Sequence, residues 1–196
     1  VKILDNFLNK DHLQTIQNIE LKKIDSRSVK VYHHAIDKKN NIISNDLFSN
    51  NFLYDLQKTY HFKALELLKE LYPEKINLYD YSDFHLIVTG KDYKFPIHDD
   101  IPEKLLSGVI YINPEKNTGT IFYDDKKGQS KREVEWNVNR AVFFARRERE
   151  SWHSYEGDNL NNRTALVYNL MTRRVKNVYE IENKSYFLAK IRSKLN

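Results

Sequence analysis

Two short segments carry residues that can do chemistry. In YKFPIHDD, His98 and Asp100 stand two apart on a strand-like stretch, so their side chains point the same way while Asp99 points elsewhere. Far downstream, FFARRERESWHSY offers His153, and Arg163 then opens the apolar run RTALVYNL. Two imidazoles and one carboxylate form the ligand set that leaves one face of a non-haem Fe(II) open. An arginine near such a site can hold a small dicarboxylate through a bidentate pair. Taken singly, each half has a plainer reading: His98 bonded to a neighbouring carboxylate in a loop, and Arg163 in a structural ion pair. The ordered set is more specific than either half, and it points to oxygen chemistry.

The elements that must position these residues are readable in outline. Asp11 is expected to cap a first helix running to about Ile19, with Leu13, Ile16 and Ile19 on one face. A second helix is expected from about Asn51 to Leu71, ended by Pro73, with VKVYHHAI as a strand between the two. From Leu78 onward the chain turns to short extended segments rich in Val, Ile, Phe and Tyr. These are FHLIVT, LSGVIYIN, GTIFYDD, REVEW, RAVFFAR and TALVYNLM. NPEKNTG, DDKKGQS, WNVN and EGDNLNN separate them as turns. Helices followed by a run of close-spaced strands suggest a β-sandwich backed by helices. A strand, a turn and a returning strand would make His153 and Arg163 hairpin neighbours facing one cavity. Residues from Asn183 to Leu195 are expected to close the fold as a helix, with Phe187, Leu188 and Ile191 on one side.

Composition narrows the class. The 196 residues, 40% hydrophobic and 13% aromatic, can bury a substantial core, and no linker or repeat divides them, so one domain over 1–196 is expected. No cysteine is present, which removes disulfides and thiolate metal sites and leaves His, Asp and Glu as ligands. No apolar run reaches membrane-spanning length, and VKILDNFLNKDHL is too charged for a signal peptide. The expectation is a cytoplasmic protein without a membrane partner. A net charge of +5, with acidic residues interspersed as in ARRERE, reads as a solvated surface and argues mildly against nucleic acid. His12, His33, His34, His61 and His85 have no matching partner spacing and read as structural or surface residues.

The order His98-x-Asp100, intervening strands, His153, Arg163 resembles the 2-oxoglutarate- and Fe(II)-dependent oxygenases, near their prolyl-hydroxylase-like branch. LSGVIYIN, GTIFYDD and NRAVFFAR resemble the strands around that family's motif, and ILDNFL its opening. The likeness runs through most of the chain, most clearly from Phe84 to Met171. It implies a mainly β fold with helices, a double-stranded β-helix (jelly roll, cupin-like) with N-terminal supporting helices. It also implies that His98, Asp100 and His153 hold Fe(II), and that Arg163 pairs with the distal carboxylate of 2-oxoglutarate. Tyr111 or Tyr123 would supply a hydroxyl to that carboxylate. The implied activity is a dioxygenase that uses O2 to hydroxylate an unidentified substrate, releasing succinate and CO2. Two alternatives are a non-catalytic jelly-roll binding module and an oxygenase acting on nucleic acid. The chain departs from the family's pattern at Ala165, where many relatives place Ser, and at Ile110, which occupies one position open to the related tyrosine.

Overall fold

The computed structural model describes residues 1–192. It is mainly β, built from two antiparallel sheets with helices against the larger one. The major sheet takes the order β1-β9-β6-β11-β4-β2-β3, from β1 (Lys2–Leu4), β9 (Ala141–Ala145), β6 (Lys104–Asn113), β11 (Arg163–Met171), β4 (Tyr81–Thr89), β2 (Val29–Asp37) and β3 (Ile42–Asn45). The minor sheet is β5 (Lys94–His98), β10 (His153–Glu156), β7 (Ile121–Phe122) and β8 (Arg132–Glu133), in that order. This is the double-stranded β-helix arrangement that the resemblance implies, and it agrees with the sandwich backed by helices expected from the strand pattern.

Alternation along the major strands sorts the side chains into two layers. Phe84, Leu86, Leu106, Ile110, Phe143, Leu166 and Leu170 pack under the helices, joined by Leu53, Leu56, Leu67 and Leu68 of α2 (Asn50–Leu71). Each fully buried leucine there contributes about 1.5–3 kcal/mol. The opposite face of the same strands turns toward the minor sheet. There Tyr111, Val142 and Phe144 meet Phe122, Val134 and Trp136 in a second, smaller core. Strands covered on both faces read as nearly continuous apolar runs, as LSGVIYIN and RAVFFAR do. Pro96 sits within β5 because that strand forms the sheet's edge, where a missing N–H breaks no ladder.

Several local expectations change. α1 spans Lys10–Gln17 and is capped by Asn9, whose Oδ1 accepts the His12 N–H at 2.8 Å; Asp11 lies in the first turn instead. GTIFYDD and REVEW contribute only two-residue strands. His153 and Arg163 do not come from hairpin neighbours. β10 pairs with β5 and β7, while β11 pairs with β4 and β6, so the segment between them crosses from one sheet to the other. At the C-terminal end a helix over Val175–Ile181 (α3) precedes one over Tyr186–Arg192 (α4). Phe187 and Leu188 are exposed there rather than forming a core face, and residues 193–195 of the expected closing helix lie outside the described residues.

Arg146, in the charge run expected to be solvated, is 1% exposed. Its Nη1 donates to Glu182 Oε2 at 2.8 Å, and Glu182 also pairs with the buried Lys75. Removing the acid would leave the buried Lys75 without its carboxylate and Arg146 with Glu148 alone. Glu182→Gln is therefore expected to destabilise the protein by about 3–5 kcal/mol, read as a lower denaturant midpoint at unchanged slope.

Candidate metal centre

His98 ends β5 and His153 begins β10, and the two are register partners, so their rings lie 4.1 Å apart between centroids. Asp100 follows just past the end of β5. One donor atom from each of the three lies within 4.8 Å of the others. Imidazole orientation is set from behind: His98 Nδ1 donates to the Pro96 carbonyl at 3.1 Å and His153 Nδ1 to the Ser151 carbonyl at 2.8 Å. The proton therefore sits on Nδ1 of each ring, and Nε2 keeps a free lone pair, the arrangement metal-binding histidines use. Burial pushes the pKa of His98 down and that of His153 down to about 4, so both rings are neutral at pH 7.

Asp100 is the charged member. Burial would raise its pKa, but Lys104, His153 and Ser107 outweigh that and hold it at about 2. Lys104 Nζ meets Oδ1 and Ser107 Oγ donates to Oδ2, both at 2.6 Å. Arg146 Nε donates to the Asp100 backbone carbonyl at 3.2 Å, tying the buried network below to the ligand loop. Asp99 faces away, as the spacing predicts, and accepts the Arg149 N–H at 2.6 Å and the Ser151 hydroxyl.

Arg163 opens β11 on the opposite, major sheet and shares a cavity of about 400 Å³ with the trio. Two larger hollows elsewhere contain none of these four residues. Arg163 is 6% exposed and, among the described residues, has no carboxylate within ion-pairing distance. Its guanidinium lies 3.8 Å from the Tyr155 ring, 5.2 Å from Trp136 and 5.5 Å from Tyr111. Its Nε lacks a hydrogen-bond partner.

The two tyrosines separate. Tyr111 is beside Arg163, but its hydroxyl is engaged with Thr120, accepting the Thr120 N–H at 2.8 Å and donating to Oγ1 at 3.1 Å. Tyr123 shares a hydrogen bond with Ser154 and lines a separate hollow with Val1, Ile3 and Leu71. Sequence reasoning missed Thr89. Cross-strand register sets it directly opposite Arg163, it lines the cavity, and its buried Oγ1 has no partner. Tyr155, close to His153 in sequence, supplies the ring closest to the guanidinium. Ala165 lines the cavity two residues beyond Arg163 and brings no hydroxyl.

Neither a family model nor a curated protein matches the chain. Solved structures do. A prolyl-4-hydroxylase from Pseudomonas putida superimposes with TM-score 0.55 at 16% identity, over 88% of this chain and 92% of that one. An oxidoreductase of the 2OG-Fe(II) oxygenase family from Burkholderia pseudomallei gives 0.56 at 13%, over 86% and 82%. A prolyl hydroxylase from Trichoplax adhaerens, in complex with a hypoxia inducible factor oxygen degradation domain peptide fragment, gives 0.58 at 12%, over 90% and 86%. Identities this low speak for the fold alone. The chain has the double-stranded β-helix fold found in 2OG-Fe(II) oxygenases, prolyl hydroxylases among them.

Proposed function

We propose that the chain is a single oxygenase unit, an Fe(II)- and 2-oxoglutarate-dependent dioxygenase that hydroxylates its substrate. The observation carrying this reading is Arg163, a buried guanidinium without a carboxylate partner among the described residues, in the same cavity as two neutral imidazoles and an ionised carboxylate. A buried cation is costly unless an anion meets it, so the cavity is built for an anionic ligand.

His98 Nε2, His153 Nε2 and an oxygen of Asp100 would hold the iron, with the Pro96 and Ser151 carbonyls fixing both rings. Arg163 would hold one carboxylate of 2-oxoglutarate, assisted by the unpaired Thr89 hydroxyl. Ferrous iron and 2-oxoglutarate, when bound, supply the oxidising power: O2 is consumed, succinate and CO2 leave, and a substrate C–H bond becomes C–OH. Tyr111, Trp136 and Tyr155 exclude water around the guanidinium, which strengthens the pairing. Lys104 balances Asp100 in the absence of a metal and lines the cavity. Val29, Val31, Phe95 and Ile101 form an exposed apolar rim on the same cavity, where a substrate would lay apolar surface.

Anaerobic titration of 2-oxoglutarate into Fe(II)-loaded protein tests this. A visible metal-to-ligand charge-transfer band is expected. Folded, iron-bound protein that gives no band would point to a non-catalytic binding module.

A further inference from the structure

We propose that His33, Asp83 and His85 form a second divalent-cation site, on the major sheet and separate from the His98, Asp100 and His153 trio. Nothing in this inference depends on the oxygenase reading. β2 and β4 run antiparallel with His33 directly opposite His85, and Asp83 precedes His85 by two residues on the same face. His33 Nε2 lies 2.7 Å from Asp83 Oδ1, and His85 Nε2 lies 3.0 Å from Oδ2. The rings are 4.9 Å apart between centroids, and one donor atom from each residue lies within 4.8 Å of the others.

Two further observations point to a ligand. Asp83 Oδ1 is buried and has no aligned hydrogen-bond donor, although His33 Nε2 is so close. A short contact without hydrogen-bond alignment is how two ligands of one ion sit; a hydrogen-bonded pair would point its N–H along the contact. Beside Asp83, its register partner on β11 is Asn169, fully buried with neither amide atom partnered. The Asp83 side chain is 5% exposed, and among the described residues its ion-pairing partners are the two histidines. Among the described residues no lysine or arginine neutralises it, so a cation shared with both imidazoles removes the cost of a buried charge.

Two nitrogens and one oxygen without sulfur suit Zn(II), Co(II) or Ni(II). The His33 side chain is 43% exposed and gives the ion a path in. His85 lines the 400 Å³ cavity, four residues along β4 from Thr89, roughly 13 Å away at strand spacing. The second ion would thus tie β2 to β4 at the far end of the same hollow.

Co(II) is the probe, followed anaerobically by its d–d absorption and by metal per chain after desalting. Wild type is expected to take two Co(II). An Asp100→Asn/His153→Ala protein is expected to keep one, and further His33→Gln/His85→Gln substitution to remove it. His33→Gln alone, at a half-exposed ring, is expected to weaken the retained site at least tenfold, with far-UV circular dichroism confirming the fold. A folded Asp100→Asn/His153→Ala protein that binds no Co(II) overturns the proposal. So does a retained ion indifferent to His33→Gln and His85→Gln.

Discussion

Asp100→Asn is expected to weaken Fe(II) binding by more than 100-fold and to remove hydroxylation with it. Asn keeps the shape and can still accept from Ser107, but it lacks the charge that draws a divalent ion toward two neutral imidazoles. Loss of a mere supporting partner behind a ligand costs about 10–100-fold in metal affinity, so loss of an anionic ligand exceeds that range. Stability moves as well. A carboxylate held at about 2 when folded, against its usual range near 4, favours folding above about pH 4 by about 2 kcal/mol. That contribution disappears as pH falls through about 2. Metal-free Asp100→Asn is therefore expected to be less stable than wild type at pH 7 and to converge with it under acid. Calorimetry with anaerobic Fe(II) checks the first part and urea unfolding across pH the second. Wild-type iron affinity in Asp100→Asn would remove Asp100 from the ligand set.

What could be read in the sequence follows from how local each signal is. His98 and Asp100 declare themselves because a two-residue spacing on an extended segment fixes their direction, wherever the strand goes. His153 and Arg163 were legible as cavity residues, but the path between them was not. EGDNLNN has the composition of a hairpin turn, and turn residues do not say whether the chain returns beside itself or crosses to another sheet. Here it crosses, and the cavity exists because the two side chains face each other from opposite sheets. Thr89 carries no signal in LIVTG; its place depends on the β4–β11 register, which joins residues more than seventy positions apart. Arg146 looked solvated in ARRERE because Glu182, the acid that buries it together with Lys75, stands just past α3, far along the chain. His33 and His85 looked solitary for the same reason, although the Asp83-x-His85 spacing was visible and repeats in reverse the logic of His98-x-Asp100. Near α1 two good capping residues stand two apart, and composition does not choose Asn9 over Asp11.

Arg163→Met is expected to stabilise the metal-free protein while destroying its affinity for 2-oxoglutarate, and the opposed signs are what make it decisive. If the guanidinium served the fold through an ion pair, its removal would strand a buried carboxylate and cost 3–5 kcal/mol. No such carboxylate faces it among the described residues. Burial lowers its pKa against the countering pull of Tyr155 and Tyr111, so the charge is held under strain. The Tyr155 ring at 3.8 Å returns about 2 kcal/mol by cation–π attraction, less than the several kcal/mol that a buried ion loses in hydration. Methionine fills similar volume without that cost, and a gain of about 1–2 kcal/mol follows, read as a rise of roughly 5 °C in Tm. Binding goes the other way: losing a desolvated pairing with a carboxylate costs about 2–5 kcal/mol, or more than about 30-fold in Kd. In a thermal-shift series, 2-oxoglutarate with Mn(II) is then expected to raise the Tm of wild type and to leave Arg163→Met nearly unmoved. A destabilised Arg163→Met protein that still answers to 2-oxoglutarate would make the residue structural and send the search for the anion site elsewhere in the cavity.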